Sequence, residues 1–549
     1  MLRLSVVVCG RDRSPDLQAC LGGLANQSRI ENGFEIILVS RAGESTIDSL
    51  PLSSLPHLRV IRCLDGDLGA SWNRGAETAQ GDVLLFIRDD FTPTPALVAA
   101  HRALHAERSD VIALGKVGTA ASRIDLGTFL EEERRHAIGD PTSSAGISLL
   151  QCAGHTLSML RATFLRMGPF RTGLAWGTEV EMASRVVRNG GILLPLPLIV
   201  GQLQRPASDG EMVAASREAG SSSWELYRHT PALLPQLNLG AFQRGRAGGL
   251  RLRRFLLAIG GPPVPVKLCR WLLPEHVWTR RGRKFLLSYY YWRGVRQAVK
   301  DRFTWQSITR APLILMYHAV AGSHEPAGRF LVPLRRFKFQ MWWLKFARYR
   351  VLGLEDLLDD RREHRLPPGR SVVLTFDDGY ADNRRLAFPV LREHGFRATF
   401  FVVTRCIGGK NVWDSSGELA GRPLLSWSEV SDLLEAGMQI GAHTQHHVAI
   451  PDLPADEAER EIAGSRTDLE RELERPIRAF AYPYGLLDSS TPAAVARAGF
   501  DGACCTRSGP NQAVISSYLL RRMEVRGTES LLQFIRALQR GHAARRRKL

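Results

Sequence analysis

The sequence predicts an α/β protein with two domains joined by a basic, helical linker. Its 549 residues exceed what one ordinary hydrophobic core accommodates. Short β-branched runs alternate with helix-like segments in two separate regions, which predicts two sheets covered by helices. A stretch of different character, rich in Arg, Tyr and Trp, lies between them. The predicted boundaries are 1–205, 206–310 and 311–549.

The first region alternates buried strands with helices. The strand candidates are "LSVVVCG", "FEIILVS", "LRVIRC" and "DVLLFIRDD", and "DLQACLGGLANQ" and "GASWNRGAETAQ" are helix candidates between them. Because the strands are apolar on both sides, they favour a parallel sheet with helices on both faces.

The linker mixes basic and aromatic residues. Its densest part is "RRGRKFLLSYYYWRGVRQAVK", residues 280–300. One interpretation is a helix lying in the interface of an anionic membrane. The alternative is an ordinary helix that packs on a neighbouring domain.

The third region returns to alternation. Its strand candidates are "PLILMYHAV", "SVVLTFDDG", "RATFFVVT", "GMQIGAHT", "IRAFAYPYG" and "FDGACCT". The helix candidates "LAFPVLREHG" and "SEVSDLLEAG" each end at a Gly suited to a C-terminal cap. Polar residues cluster where the strands end, which is the edge at which β/α barrels hold their sites.

Net charge and cysteine content indicate which partners and which cellular location to expect. A net charge of +18 favours an anionic partner, such as nucleic acid, a membrane surface or an acidic polymer. No nucleic-acid-binding motif accompanies that charge, which argues against nucleic acid. The eight cysteines are scattered, the N-terminus offers no signal-peptide pattern, and no apolar run approaches the ~20 residues of a spanning helix. We therefore expect a cytoplasmic protein, peripheral on the inner face of the membrane.

Strand ends in the third region carry residues that bind metals or move protons. Asp377 and Asp378 end a buried run, and His443 and His447 lie in "GAHTQHH". One carboxylate and two imidazoles form a facial set of metal ligands that leaves positions open for water and substrate. Since adjacent residues on an extended chain point in different directions, we expect Asp378 to bind metal and Asp377 to act as general base.

These motifs resemble the NodB-like polysaccharide deacetylases of carbohydrate esterase family four. "TFDDG", the His-Thr-x-x-His of 443–447 and the Pro-Tyr-Gly of 483–485 follow the order of that family, and the resemblance covers residues 311–535. It implies a distorted β/α barrel and metal-dependent hydrolysis of N-acetyl groups on amino sugars.

The resemblance also implies a role for each motif residue. Asp377 is the implied base, and the backbone N–H of Tyr484 helps to hold the oxyanion. The implied ligands of a divalent metal, with Zn²⁺ preferred, are Asp378, His443 and His447.

Two positions depart from the family pattern. Ala481 stands where the family carries an arginine that often orients the base. The closing Leu-x-His motif, which supplies the general acid, is replaced by "LLRRMEV" at 519–525. The proton donor is therefore unassigned; His446 and His318 are candidates, and a structural role is the alternative for each. "LILMYHAV" and "RRMEV" resemble a subgroup of these deacetylases from bacterial exopolysaccharide systems.

Residues 1–205 resemble family 2 glycosyltransferases of the GT-A fold. The features in order are "VVVCGRDR", "SWNRGAETAQGDVLLFIRDD" and "WGTEVEMASR". The resemblance implies a nucleotide sugar held with Mg²⁺ or Mn²⁺ by Asp12, Asp89 and Asp90, and Glu179 as the base that deprotonates the acceptor.

Three positions of this region depart from the family pattern. Ser40 replaces an aspartate that contacts the nucleoside, Arg88 replaces the first acid of Asp-x-Asp, and Thr178 precedes Glu179 in place of an acid. A positive charge in the metal motif weakens cation binding by repulsion. An active transferase and a substrate-binding or scaffolding relic are the two interpretations.

The sequence as a whole predicts a two-module enzyme of cell-surface polysaccharide assembly. The expected partners are an N-acetylated amino-sugar polymer or a lipid-linked glycan, a nucleotide sugar, and the membrane surface. The alternative is a non-catalytic carbohydrate-binding or assembly protein with a relic transferase domain.

Overall fold

The structure is a computed structural model of the chain. The strands, in chain order, are β1 (Leu4–Gly10), β2 (Phe34–Ser40), β3 (Leu58–Arg62), β4 (Val83–Arg88), β5 (Phe91–Pro93), β6 (Val111–Gly118), β7 (Thr156–Leu160), β8 (Ile192–Leu203), β9 (Leu313–Tyr317), β10 (Ala319–Ala321), β11 (Leu331–Pro333), β12 (Arg350–Leu352), β13 (Ser371–Phe376), β14 (Thr399–Val402), β15 (Gln439–Ala442), β16 (Ala479–Ala481), β17 (Gly502–Cys504) and β18 (Arg522–Glu524). The helices are α1 (Pro15–Ala25), α2 (Leu68–Thr78), α3 (Leu97–Glu107), α4 (Arg161–Met167), α5 (Thr178–Arg188), α6 (Asp209–His229), α7 (Ala247–Ala258), α8 (Arg283–Ala298), α9 (Arg302–Thr309), α10 (Leu334–Phe346), α11 (Leu354–Arg362), α12 (Phe388–His394), α13 (Trp427–Glu435), α14 (Ala455–Leu473), α15 (Thr491–Arg497) and α16 (Leu531–Gly541).

Parts of the chain carry no structural description. The described residues are 2–10, 15–27, 33–40, 55, 57–63, 66–118, 130, 149–153, 156–203, 208–242, 247–258, 282–513 and 515–541. None of the helices within these ranges is both long and apolar enough to cross a membrane.

The chain divides into two compact units. The first unit comprises Met1–Asn238 and Leu257–Ala298, and the second comprises Leu239–Leu256 and Val299–Leu549. The stretch 206–310, treated as a linker in the sequence analysis, is therefore shared between the two units.

The first unit is built on an eight-stranded sheet in the order β3-β2-β1-β4-β7-β6-β8-β5. The strands β1 to β4 pair in parallel, as the sequence predicts, and the apolar β1 is buried along its whole length. The sheet is mixed beyond them, because β7 lies antiparallel between β4 and β6, and β5 lies antiparallel to β8. Sequence pattern could not show this reversal, since a strand buried on both faces reads the same in either direction.

The second unit is built on a parallel sheet that closes almost completely. Its order is β17-β16-β15-β14-β13-β9-β18, with β12 paired to β13. A single parallel bridge between Cys504 and Leu520 links the β17 end to the segment before β18. A buried cluster of aromatic and aliphatic side chains fills the unit. Because all these strands run in one direction, their carboxyl ends meet at one mouth of the barrel.

The aromatic part of the predicted linker forms helix α8, which packs on α6. The residues expected to face lipid are Phe285, Leu286, Leu287, Tyr289, Tyr290 and Trp292, and all but Phe285 are buried. Arg283 pairs with Asp209 at 2.6 Å, and Arg280 and Arg281 lie outside the described residues. This helix therefore shows the packing alternative, and its Tyr and Trp side chains are not available to a lipid surface.

Candidate metal centre

Two strand ends place four chemically active side chains together at the barrel mouth. Asp377 and Asp378 follow β13, and His443 follows β15; the two strands are separated only by β14. His447 lies in the loop after β15. Asp378 and His447 adopt positive φ angles of 71° and 59°. A positive φ costs conformational free energy in residues other than glycine, and residues with this backbone conformation cluster at functional sites.

Asp378, His443 and His447 converge on one point. The Oδ1 of Asp378 lies 3.3 Å from the Nε2 of His443 and 3.3 Å from the Nε2 of His447, and all three residues are buried. Among the described residues, this is the only group of three potential ligands whose atoms lie within 4.8 Å of one another.

Hydrogen bonding fixes the orientation of His443. Its Nδ1 lies 2.7 Å from the carbonyl oxygen of Ala481, which can only accept. Nδ1 therefore carries a proton, so Nε2 is the ring nitrogen that faces the carboxylate oxygen of Asp378. A lone pair on Nε2 and a carboxylate oxygen that face each other at 3.3 Å are suited to share a cation.

This donor set fits a divalent metal. Zn²⁺ binds imidazole nitrogen and carboxylate oxygen at ~2.0–2.2 Å, so neighbouring ligand atoms of a tetrahedral site lie about 3.3–3.4 Å apart. The observed separations of 3.3 Å match that spacing. The backbone carbonyl that orients His443 is also the usual outer partner of a metal-binding histidine.

Asp377 is held by an arginine that the sequence analysis did not identify. Arg522, the first residue of β18, donates from Nη1 and Nη2 to the two carboxylate oxygens of Asp377 at 2.5 and 2.7 Å. The Arg522 side chain is 0% exposed. Burial alone would raise the pKa of Asp377, but the charges of Arg522, His443 and His318 outweigh it and hold that pKa below its ordinary value. Arg522 thus supplies a guanidinium to Asp377, although Ala481 stands at the position where the family carries its arginine.

The two histidines proposed as proton donors lie in different surroundings. His318 directly follows β9 at the barrel mouth, is partly buried, and lies against Phe330. The charge of His318 is one of the causes that lower the pKa of Asp377, behind the charge of Arg522. His318 therefore lies within electrostatic range of the site. His446 is exposed and its Nδ1 lies 2.6 Å from Glu461. Of the two, His318 is the one whose charge is among the main influences on the pKa values of Asp377 and Asp378.

Aromatic rings line one side of the metal-ligand set. The ring of Trp413 stacks on His447 with a centroid distance of 4.4 Å, and the ring of Tyr484 meets His447 edge-on at 4.6 Å. Tyr484 has a φ of 57° and is 54% exposed, which places it at the rim of the site. The role of its backbone N–H at the oxyanion stays a prediction.

Two candidate residues of the first unit, Asp89 and Asp90, directly follow strand β4, and a third, Glu179, lies in helix α5. Arg88 ends β4, and its Nη2 lies 2.7 Å from Oδ2 of Asp90. Asp89 and Glu179 are both buried. The Asp90 charge, opposed by burial and reinforced by Glu179, raises the pKa of Arg88. Asp12 lies outside the described residues.

A cavity of about 430 Å³ adjoins these residues. Its lining includes Asp67, Arg88, Asp89 and Glu218. Asp67 caps α2 by accepting from the backbone N–H of Ala70 at 2.8 Å. The cavity is therefore bordered by three acids and one base.

Comparison with known proteins identifies both units. Residues 364–503 match the family model of polysaccharide deacetylases, and residues 5–135 match that of glycosyl transferase family 2. The chain therefore carries a polysaccharide deacetylase domain and a glycosyltransferase-like domain. The expected GT-A-like first unit and NodB-like second unit are confirmed.

Two curated relatives and one solved structure illustrate the deacetylase match. YxkH of Bacillus subtilis is 26% identical over 212 residues, covering 39% of this chain and 70% of the relative. The poly-beta-1,6-N-acetyl-D-glucosamine N-deacetylase of Staphylococcus epidermidis is 28% identical, covering 34% of this chain and 65% of the relative. The structure of the Streptococcus pyogenes deacetylase PplD, in complex with acetate, is 24% identical, covers 42% of this chain and 98% of that one, and has a TM-score of 0.37. The chain thus spans about two thirds of the two curated relatives.

Proposed function

We propose that the second unit is a metal-dependent deacetylase that hydrolyses N-acetyl groups on an amino-sugar polymer during bacterial exopolysaccharide biosynthesis. The observation that carries the proposal is the buried convergence of Asp378, His443 and His447 beside the Asp377–Arg522 pair. The relative from Staphylococcus epidermidis is named for a β-1,6-linked N-acetylglucosamine polymer, which supports a polymer of that class as the substrate here.

The residues divide the work of amide hydrolysis. A divalent ion, with Zn²⁺ preferred, would be held by Asp378, His443 and His447, and it would lower the pKa of water and polarise the acetamide carbonyl. Asp377 accepts the proton of the attacking water, whose oxygen bonds to the carbonyl carbon. The carbon–nitrogen bond then breaks, the amine takes a proton from His318, and acetate and a free amino sugar remain.

Acetate release from oligomers of β-1,6-linked N-acetylglucosamine, measured on the purified full chain together with its metal content, tests this function. We expect release that stops on chelation and returns with Zn²⁺, because three protein ligands hold the ion. A chain that binds no metal and releases no acetate would favour the non-catalytic carbohydrate-binding alternative.

Replacing His318 tests the proton donor. His318→Gln should lower acetate release about 10²–10⁴-fold, the usual contribution of a general acid, while metal content is retained. An activated aryl acetate should be affected much less, because its leaving group needs no proton. His446→Gln is the matched control, since Glu461 holds that histidine; a larger loss in the control than in His318→Gln would reverse the assignment.

The first unit is a second candidate for activity, favoured by the match of residues 5–135 to glycosyl transferase family 2. We infer that it takes a nucleotide sugar in the cavity beside Arg88, with Glu179 as base. In this arrangement the carboxylate of Asp90 is engaged by Arg88, where the family resemblance places a metal ion.

Arg88→Asp should therefore raise metal-dependent binding of a uridine diphosphate sugar at least ~10-fold, because it removes a positive charge and frees Asp90 for Mg²⁺ or Mn²⁺. Calorimetry on the full chain measures the affinity with and without metal. Arg74→Asp, an exposed residue of α2, is the control for net charge. Equal metal dependence in the wild type and Arg88→Asp would contradict the role given to the Arg88–Asp90 pair.

A further inference from the structure

Helix α10 presents an aromatic and basic face to solvent. Its exposed side chains recur at helical spacing, so they lie along one side of the helix. They are Arg335, Lys338, Trp342, Lys345 and Phe346. The opposite side carries Phe337, Met341 and Leu344, which are buried in the barrel core. The outer face is therefore not required by the core of its own unit.

The aromatic part of this face is a stacked pair. Trp342 is 46% exposed and Phe346 is 64% exposed. Their ring centroids lie 5.1 Å apart with an interplanar angle of 12°, and Phe339 approaches Trp342 at 5.2 Å. Exposed aromatic residues gathered in this way, with charged residues beside them, mark an interaction site more often than a scattered exposed side chain does.

The charge carried by α10 and its flanking residues has a single sign. Residues 326–354 contain seven basic and no acidic residues. Within the described part of the chain, no carboxylate pairs with Arg335, Lys338, Lys345, Arg348 or Arg350. Two helices pack on α10: α16 adds Arg536 and no acid, and α12 carries Arg392 and Glu393, both exposed, and so adds no net charge. The face therefore attracts an anionic partner.

We propose that the outer face of α10 is the surface by which this protein binds an anionic lipid bilayer. Tryptophan and phenylalanine enter the headgroup region of a membrane, while lysine and arginine remain among the anionic headgroups. This surface is distinct from helix α8, whose Tyr and Trp side chains are buried.

The same observations disfavour other occupants. A second copy of the chain would bring two positively charged faces together in a two-fold contact. An N-acetylated glycan is neutral and the deacetylated product is cationic, so neither uses the positive charge. Nucleic acid would use the charge. However, the rings of Trp342 and Phe346 stack on each other, so each ring has only one face left for stacking with a base.

Vesicle sedimentation with the full chain tests the proposal. We expect binding to phosphatidylcholine vesicles that contain about one-third phosphatidylglycerol, no binding to phosphatidylcholine alone, and weakening by salt. Lys338→Glu with Lys345→Glu should weaken binding by about 30-fold or more, since each basic residue near the surface adds to the attraction. Trp342→Ala with Phe346→Ala should weaken binding to the anionic vesicles at both low and high salt.

Matched controls come from the first unit. Arg166→Glu with Arg188→Glu makes the same change in net charge at exposed positions, and Leu165→Ala removes an exposed apolar side chain. Both should bind as the wild type does, and unchanged unfolding temperatures establish that all variants fold. The proposal is overturned by equal binding to neutral and anionic vesicles, or by wild-type binding in both α10 variants. It is also overturned if the α10 variants lose only self-association or only binding of nucleic acid and still bind vesicles as the wild type does. None of these readouts depends on deacetylase activity.

Discussion

Asp377→Asn should abolish most acetate release while leaving the metal bound, whereas Asp378→Asn should lose both. The two side chains are adjacent in the sequence but face different partners. Asp378 lies 3.3 Å from two imidazole nitrogens, and Asp377 is held by the guanidinium of Arg522. Loss of the base alone is expected to cost about 10²–10⁴-fold in rate. Metal analysis and acetate release on the same preparations separate the two effects.

His446→Ala supplies the control for metal content. It changes a histidine next to His447 that bonds to Glu461 instead of joining the ligand set, so the metal should remain. His443→Ala and His447→Ala should each empty the site, because three ligands leave little redundancy. Equal metal loss in Asp377→Asn and Asp378→Asn would contradict the division between base and ligand.

Arg522→Met should destabilise the second unit by about 3–5 kcal/mol and remove most activity. The change leaves the buried carboxylate of Asp377 without its partner, and such a charge either destabilises the fold or takes up a proton. A protonated Asp377 cannot act as a base. Denaturant unfolding and acetate release measure the two consequences.

Companion variants separate positioning from general damage. Arg521→Met changes the preceding residue, which engages Asn511 through its backbone alone, and should have little effect. Arg522→Lys keeps the charge but loses the two-pronged contact, so stability should recover more than activity does. Asp377→Asn combined with Arg522→Met should be more stable than the sum of the single changes predicts. Equal effects of Arg521→Met and Arg522→Met would remove the special role of Arg522.

The convergence of the candidate metal ligands could be predicted because each of them lies at or just after a strand end. Asp377 and Asp378 end a buried strand, and His443 and His447 follow another, so strand-end position was enough to bring them together. The two-unit α/β architecture followed in the same way from alternating apolar runs. Both predictions rest on patterns that extend over no more than about 10 residues each.

The partner of Asp377 could not be predicted by that reasoning. Arg522 belongs to a three-residue strand in "LLRRMEV", which is too short and too charged to read as part of a barrel. Only the pairing of β18 with β9 brings it inside. The burial of α8 was likewise hidden, because a helix with basic and aromatic residues has the same pattern whether it packs on α6 or on lipid.

Closure of the barrel has a consequence for how the molecule matures. Asp377 and Arg522 are separated by 145 residues, and β18 is the last strand among the residues that the structure describes. A nascent chain that has folded β13 to β17 therefore holds Asp378, His443 and His447 but not the arginine that binds Asp377. Contacts of such long sequence separation form late, because the intervening chain must first be ordered. The pairing of Arg522 with Asp377 is thus completed only when β18 joins β9.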